Sequence, residues 1–142
     1  MSEAAIRALI AERVDAIRCK DVARALATLA DDVVAFELAP PLRLPPEAAR
    51  DQAGLRAWFD TWEGPIEIDH RDLVVECGGD IALAHSLNRM RGTKAGGAPV
   101  DFWMRSTLGF RKVDGAWKIS HGHTSVPFAM DGSYRALLDL EP

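Results

Sequence analysis

Asp114-Gly115-Ala116-Trp117-Lys118-Ile119-Ser120-His121-Gly122-His123-Thr124-Ser125 opens on a turn and runs on as a strand. A two-residue type I′ hairpin needs positive φ at both central positions, which Asp-Gly supplies readily. With Val113 set opposite Ala116, counting back pairs Phe110 with Ile119, Leu108 with His121, Ser106 with His123 and Met104 with Ser125. Strand alternation puts these pairs, together with Trp117, on one face. The other face carries Arg105, Thr107 and Arg111 against Thr124, Gly122 and Lys118, and its polarity assigns the first set to the interior. The inward surface then begins apolar at Trp117, Ile119 and Phe110 and turns polar at His121, His123, Ser125 and Ser106, a packed base below a functionalised mouth.

Working towards the N-terminus, strand-like runs cover Val100 to Val113, Ile81 to Arg91 and Ile66 to Cys77, separated by Lys94 to Pro99 and by Gly78-Gly79-Asp80. Short turns between consecutive strands predict an antiparallel meander. On the middle run Ile81, Leu83, His85, Leu87 and Arg89 repeat the apolar-to-polar gradient, which assigns them inward. The apolar parity switches between Ile68 and Leu73, so a bulge or bend is expected near Asp69 to Asp72. Before the meander lie a helix from Asp51 or Gln52 carrying Leu55, Trp58, Phe59 and Trp62 and closed by Gly64-Pro65, a loop containing Pro40, Pro41, Pro45 and Pro46, and a short strand from Val33 to Leu38. Ile6, Leu9, Ile10, Val14 and Ile17 recur at helical spacing from Glu3 to Lys20, with Ser2 as cap. A second short helix, capped by Asp21, carries Val22, Leu26 and Leu29 to Asp31-Asp32. Ser133 to Leu140 reads as a last helical turn.

A chain of 142 residues fits one domain, without repeats or an internal linker. A net charge of −4 and scattered arginines exclude a surface that tracks nucleic-acid phosphates. No apolar run approaches the ~18 residues that span a bilayer, and the first residues lack a signal-peptide pattern, so the expectation is a cytoplasmic protein that engages neither nucleic acid nor membrane. Cys19 and Cys77 form neither a disulfide framework nor a metal motif.

The order of elements, and above all the DGxWxxxHxHxS pattern from Asp114 to Ser125, resembles the nuclear transport factor 2 superfamily over nearly all of residues 4 to 128. Within it the chain is similar to SnoaL-like proteins, ketosteroid isomerases and the association domain of calcium/calmodulin-dependent kinase. The resemblance implies an α+β fold, a cone-shaped, curved, mainly antiparallel sheet wrapped around N-terminal helices, with an internal pocket and dimers or rings. It also implies a carboxylate base just after Ala30-Asp31-Asp32, a place held by Glu37. The isomerases' two oxyanion donors correspond to Arg13 and, approximately, Thr107, so steroid isomerisation is not expected. Of the association domain's pocket arginines, Arg89 matches one, whereas Leu108 and Thr124 stand at others.

The leading expectation is therefore a small-molecule pocket for an apolar, carbonyl- or carboxylate-bearing compound, with no cofactor. It suits acid–base isomerase, cyclase or dehydratase chemistry through Glu37, His121 and His123. Imidazoles titrate near ~6.5 and serve as proton carriers. Glu37 either acts as base, its pKa raised by Phe36 and Trp58, or pairs with Arg89. Trp58, Trp62, His85, Arg89, Met104, Ser106 and Ser125 are expected to line the pocket. Two alternatives stand beside it. One is an association module dimerising through the outer sheet face, where Asp101, Trp103 and Arg105 fall. The other is a metal enzyme using His121, His123 and His85, disfavoured because no supporting carboxylate is visible.

Overall fold

The computed structural model describes residues 2–142; Met1 lies outside the described residues. Helix α1 (Ser2–Arg18) buries Ile6, Ile10 and Ala16, and Lys20, at φ 55°, breaks the chain before α2 (Val22–Ala27). Asp21 caps α2 by accepting from the Arg24 amide at 3.1 Å. Strand β1 (Leu29–Phe36) follows at once, so Leu29 belongs to a strand and not to the second helix. Only Thr28 separates the two elements, and its carbonyl already accepts from the Ile119 amide at 2.9 Å. The proline passage contains a short helix, α3 (Pro46–Ala49), and its Leu44 bridges back to Ala35 of β1.

Helix α4 (Gln52–Phe59) is capped by Asp51 and ends sooner than expected. Trp62 therefore starts β2 (Trp62–Gly78) instead of standing one helical turn beyond Trp58. Strands β3 (Ile81–Lys94), β4 (Pro99–Val113) and β5 (Ala116–Ser125) complete a five-stranded sheet in the order β1-β5-β4-β3-β2. Only β1 and β5 run parallel; the other neighbours are antiparallel. The expected bulge in β2 is present, because Arg71 pairs with Leu87 but Val74 pairs with His85, with Asp72 at φ 56° between them. The tail from Ser133 forms a turn and a bridge between Phe128 and Ala136, not a helix. No helix among the described residues is long and apolar enough to cross a membrane.

The helices pack on one face of the sheet, and the interior divides into two apolar clusters. The first joins Ile6 and Ile10 of α1 to Leu29, Val33, Ala82, Ala84, Phe110 and Ile119. Phe110 and Ile119, opposite one another on the last hairpin, are almost fully sealed, and burial of each side chain contributes about 1.5–3 kcal/mol. The second gathers Ala16, Ala25, Phe59, Trp62 and Ile66 at the other end of α1.

Asp114 and Gly115 have φ of 50° and 81°, and Val113 pairs with Ala116 as the turn requires. The register holds through Phe110 and Ile119 and then slips. Gly109, not Leu108, faces His121, which leaves Ser120 unpaired as a one-residue bulge. Because side chains alternate, one extra residue exchanges the faces of everything beyond it. His121, His123 and Ser125 consequently share the outer face with Gly109, Thr107 and Arg105, while Gly122 and Thr124 turn inward opposite Leu108 and Ser106.

Strand β3 also corrects the expected orientation. Ala82, Ala84, Ser86 and Asn88 are buried under the helices, whereas Ile81, Leu83, His85, Leu87 and Arg89 lie on the outer face. Ala82 and Ala84 share the first apolar cluster with Ile6 and Ile10 of α1, while the larger Ile81 and Leu83 stay exposed.

Candidate functional site

The inner-face residues at the level between the two clusters are polar on four neighbouring strands. Ser86 of β3 pairs with Ser106 of β4, which pairs with Thr124 of β5. Thr124 Oγ1 donates to Oε2 of Glu37, the residue just beyond β1, at 3.4 Å. On the other side Ser86 Oγ donates to Asn88 Oδ1 at 2.6 Å, and His70 Nδ1 of β2 stands 2.7 Å from the same oxygen. This register places a polar belt across the sheet, from Glu37 to His70, with Met104 beside it opposite Asn88. Ser86, Asn88, Ser106 and Met104 are all buried. Glu37 and His70 stand at opposite ends, four interstrand steps of ~4.8 Å apart along the sheet, too far to share one proton.

Above the belt, Ile6 and Ile10 of α1 enter the first apolar cluster and Ala16 the second, and between them the same stripe presents Arg13. Arg13 Nη1 donates to Ala25 O at 3.0 Å and to Thr28 Oγ1 at 3.1 Å, at the C-terminal end of α2. Burial lowers the pKa of this guanidinium, and the nearby charge of Glu37 opposes that shift. A guanidinium remains protonated regardless, so the charge persists inside the fold.

His70 is oriented by its neighbours. Asn88 Oδ1 can only accept, so the 2.7 Å contact requires a proton on His70 Nδ1. In the neutral ring Nε2 then carries a lone pair, and this atom is sealed from solvent with no partner among the described residues. An unsatisfied buried polar atom costs about 1–3 kcal/mol. His70 also lines an open groove of ≈ 400 Å³ between α1 and β2, with Ile10, Val14 and Leu73 as its apolar wall and Arg7 and Asp15 at its rim.

The residues expected to form the pocket separate into two groups. Glu37, Met104 and Ser106 belong to the inner face. His85, Arg89, His121, His123 and Ser125 belong to the outer face, for the register reasons given above. There His121 Nδ1 donates to Val34 O at 2.6 Å, and Phe36 meets both rings edge-on, with centroids 4.8 and 5.4 Å away. Ser125 accepts from Arg105 Nε at 3.1 Å. Arg89 pairs with Asp101 at 2.8 Å and lies over the Trp103 ring, so its partner is not Glu37.

Trp62 packs in the second cluster under Lys94, whose Nζ is 4.0 Å from the ring centroid, and Trp58 leans on Trp62 from an exposed position. His85 and His123 occupy one outer row with Thr107 between them. Among the described residues no three His, Cys, Asp or Glu side chains gather around a common metal position.

The reading of the residues missed Arg13 as a pocket residue and passed over His70, Ser86 and Asn88. Their signal was present, since His70 continues the alternation of Ile66 and Ile68, and Ser86 and Asn88 continue that of Ala82 and Ala84.

Residues 6–129 match the family model described as the SnoaL-like domain. The chain is 34% identical to an NTF2-like protein of unknown function from Pseudomonas putida KT2440, with a TM-score of 0.87 over 99% of this chain and 96% of that one. It shares its fold with a candidate dehydratase of the NTF2-like family from Streptomyces avermitilis (16% identity, TM-score 0.76, 88% and 95% covered). It likewise shares its fold with the association domain of CaMKII from C. elegans (20% identity, TM-score 0.65, 88% and 95% covered). No curated protein matches this sequence. From the apolar clusters, the intervening polar belt and a family match spanning nearly the whole domain, it follows that this chain belongs to the SnoaL-like family and has the NTF2-like fold.

Proposed function

We propose that this SnoaL-like domain binds a small molecule with an apolar body and a carbonyl or carboxylate group on the inner face of its sheet, and carries out acid–base chemistry of the isomerase, cyclase or dehydratase kind there. The observation that carries the reading is His70. Its Nδ1 proton is held by Asn88, its Nε2 is buried without a partner among the described residues, and the residue lines the α1–β2 groove. A base oriented by a third group, in a site with apolar walls, is the arrangement that proton abstraction requires. A dehydration needs such a base, and the fold shared with a candidate dehydratase is consistent with that class. His121 and His123 have no part in this chemistry, and Glu37 serves the opposite end of the belt.

The test is nitrogen-detected NMR of the four histidines. His70 is expected to carry its proton on Nδ1, and small ketones and carboxylic acids should shift its Nε2 resonance in the wild type. In a folded His70→Gln variant those compounds should lose most of their thermal stabilisation. A proton found on Nε2 instead, or ligands that shift only His121 and His123, would remove the inner face from consideration.

A second reading concerns association. The outer face exposes Ile81 (67%), Val74 (41%) and Leu83 (40%), with Leu83 opposite Gly109, the partner of His121, an apolar surface suited to a second copy of the chain. The CaMKII association domain, which shares the fold, supports that role. Light scattering should give a dimer for the wild type and a monomer for Leu83→Glu. A wild-type monomer at all concentrations sinks the idea.

A further inference from the structure

Seven arginines of this chain, at positions 7, 18, 24, 50, 89, 91 and 111, meet a carboxylate within salt-bridge distance, and all of these pairs are at least partly exposed. Arg13 differs. It points from the middle of the buried stripe of α1 into the level between the two apolar clusters, and no described residue offers it a carboxylate within that distance. Both of its protein contacts use Nη1 and both acceptors are neutral oxygens.

Of the five guanidinium N–H donors, those on Nε and Nη2 therefore remain uncommitted, and they form one edge of the planar fork. Arg13 is half-buried, and neither of these atoms has a partner among the described residues. Glu37 is near enough for its charge to be felt at Arg13, yet its contact runs to Thr124 instead. A half-buried guanidinium edge with no protein acceptor can take a bidentate carboxylate through two charge-assisted hydrogen bonds.

We infer that the free edge of Arg13 is an anchor for a carboxylate, and that the ligand of the inner face is an elongated monocarboxylate whose apolar body lies along the belt towards His70. The inference rests on the small-molecule reading above and narrows it. Arg13 holds the carboxylate through Nε and Nη2, while Ala25 O and Thr28 Oγ1 keep the guanidinium plane fixed from the opposite edge. The rest of the molecule extends over Ser106, Ser86 and Met104, and its far end reaches the His70 end of the belt. Arg13 thus selects the ligand and takes no part in proton transfer.

The experiment compares matched probes, octanoate against octanamide and 3-phenylpropanoate against 3-phenylpropanamide, titrated into the whole chain by NMR. A charge-assisted pair replacing a neutral hydrogen bond predicts a preference on the order of tenfold for each acid. The Arg13 Nε–H resonance should move with the acids and move less with the amides. In Arg13→Gln the preference should fall to about twofold or less, because the charge that favours the acid has been removed.

Equal binding of acid and amide by the wild type overturns the anchor and leaves the small-molecule reading intact. Absence of binding by any of the four probes overturns both. If Arg13→Gln does not fold, the wild-type preference and the Arg13 Nε–H shift decide the matter, and a preference without that shift counts against the anchor.

Discussion

Replacing Asn88 by alanine removes the acceptor on which the belt's His70 end depends. Asn88 is 7% exposed, and its Oδ1 takes protons from His70 Nδ1 at 2.7 Å and Ser86 Oγ at 2.6 Å. Truncation strands two buried donors. Ser86 Oγ also lies 3.3 Å from His70 Nδ1, so the hydroxyl can turn to accept from the ring and recover part of one interaction. With an orphaned buried donor costing about 1–3 kcal/mol, the variant should lose roughly 2–4 kcal/mol of unfolding free energy, measured by urea denaturation followed through tryptophan fluorescence.

The same substitution releases the tautomer, so His70 should lose its strict preference for a proton on Nδ1. Pairing Asn88→Leu with His70→Leu should return part of the lost stability, because the two single changes share one interaction. Stability within about 0.5 kcal/mol of wild type, with an unchanged His70 tautomer, would mean that the cluster does not hold the ring.

Other consequences follow from the packing and the charges. A Cβ at Gly92 would sit 2.8 Å from the Trp62 ring and 3.2 Å from the Pro65 carbonyl, so Gly92→Ala should destabilise by about 1–3 kcal/mol in the same urea assay and perturb the Trp62 environment. Arg24 joins Glu12 and Asp15 at 2.8 Å each; it holds Glu12 below its ordinary value of 4.5, and Arg18 together with Arg24 holds Asp15 below 3.8. A folded pKa below the unfolded one contributes stability above the unfolded value and loses it as pH falls through the folded value. The urea midpoint should therefore decline on acidification below about pH 4.5, and Arg24→Gln should flatten that decline.

The fold was legible because its strongest signals are local. Asp114-Gly115 sets a turn whose geometry depends on two residues, and the helical spacing of Ile6 and Ile10 and the parity switch before Leu73 each appear where the pattern puts them. The site was less legible because it depends on a single residue of register. Ser120 is an ordinary strand residue, and nothing in its type marks it as the bulge that turns His121 and His123 outward. Hydrophobicity misled the reading of β3, where the small Ala82 and Ala84 are buried and the larger Ile81 and Leu83 are exposed. Arg13 entered the reading of the sequence as the counterpart of an isomerase oxyanion donor, and the two apolar clusters on either side of it reveal its inward position. Helix ends at Leu29 and Trp62 shifted where strand pairing competed with helical propensity.

The account rests on the polar belt being the working face of the domain. The most direct measurement is a chemical-shift map of the whole chain titrated with octanoate. The expected shifts lie at Arg13, His70, Ser86, Ser106 and Thr124, with His85, His121 and His123 unmoved. Shifts confined to the outer-face histidines and Phe36, with the inner row silent, would contradict it.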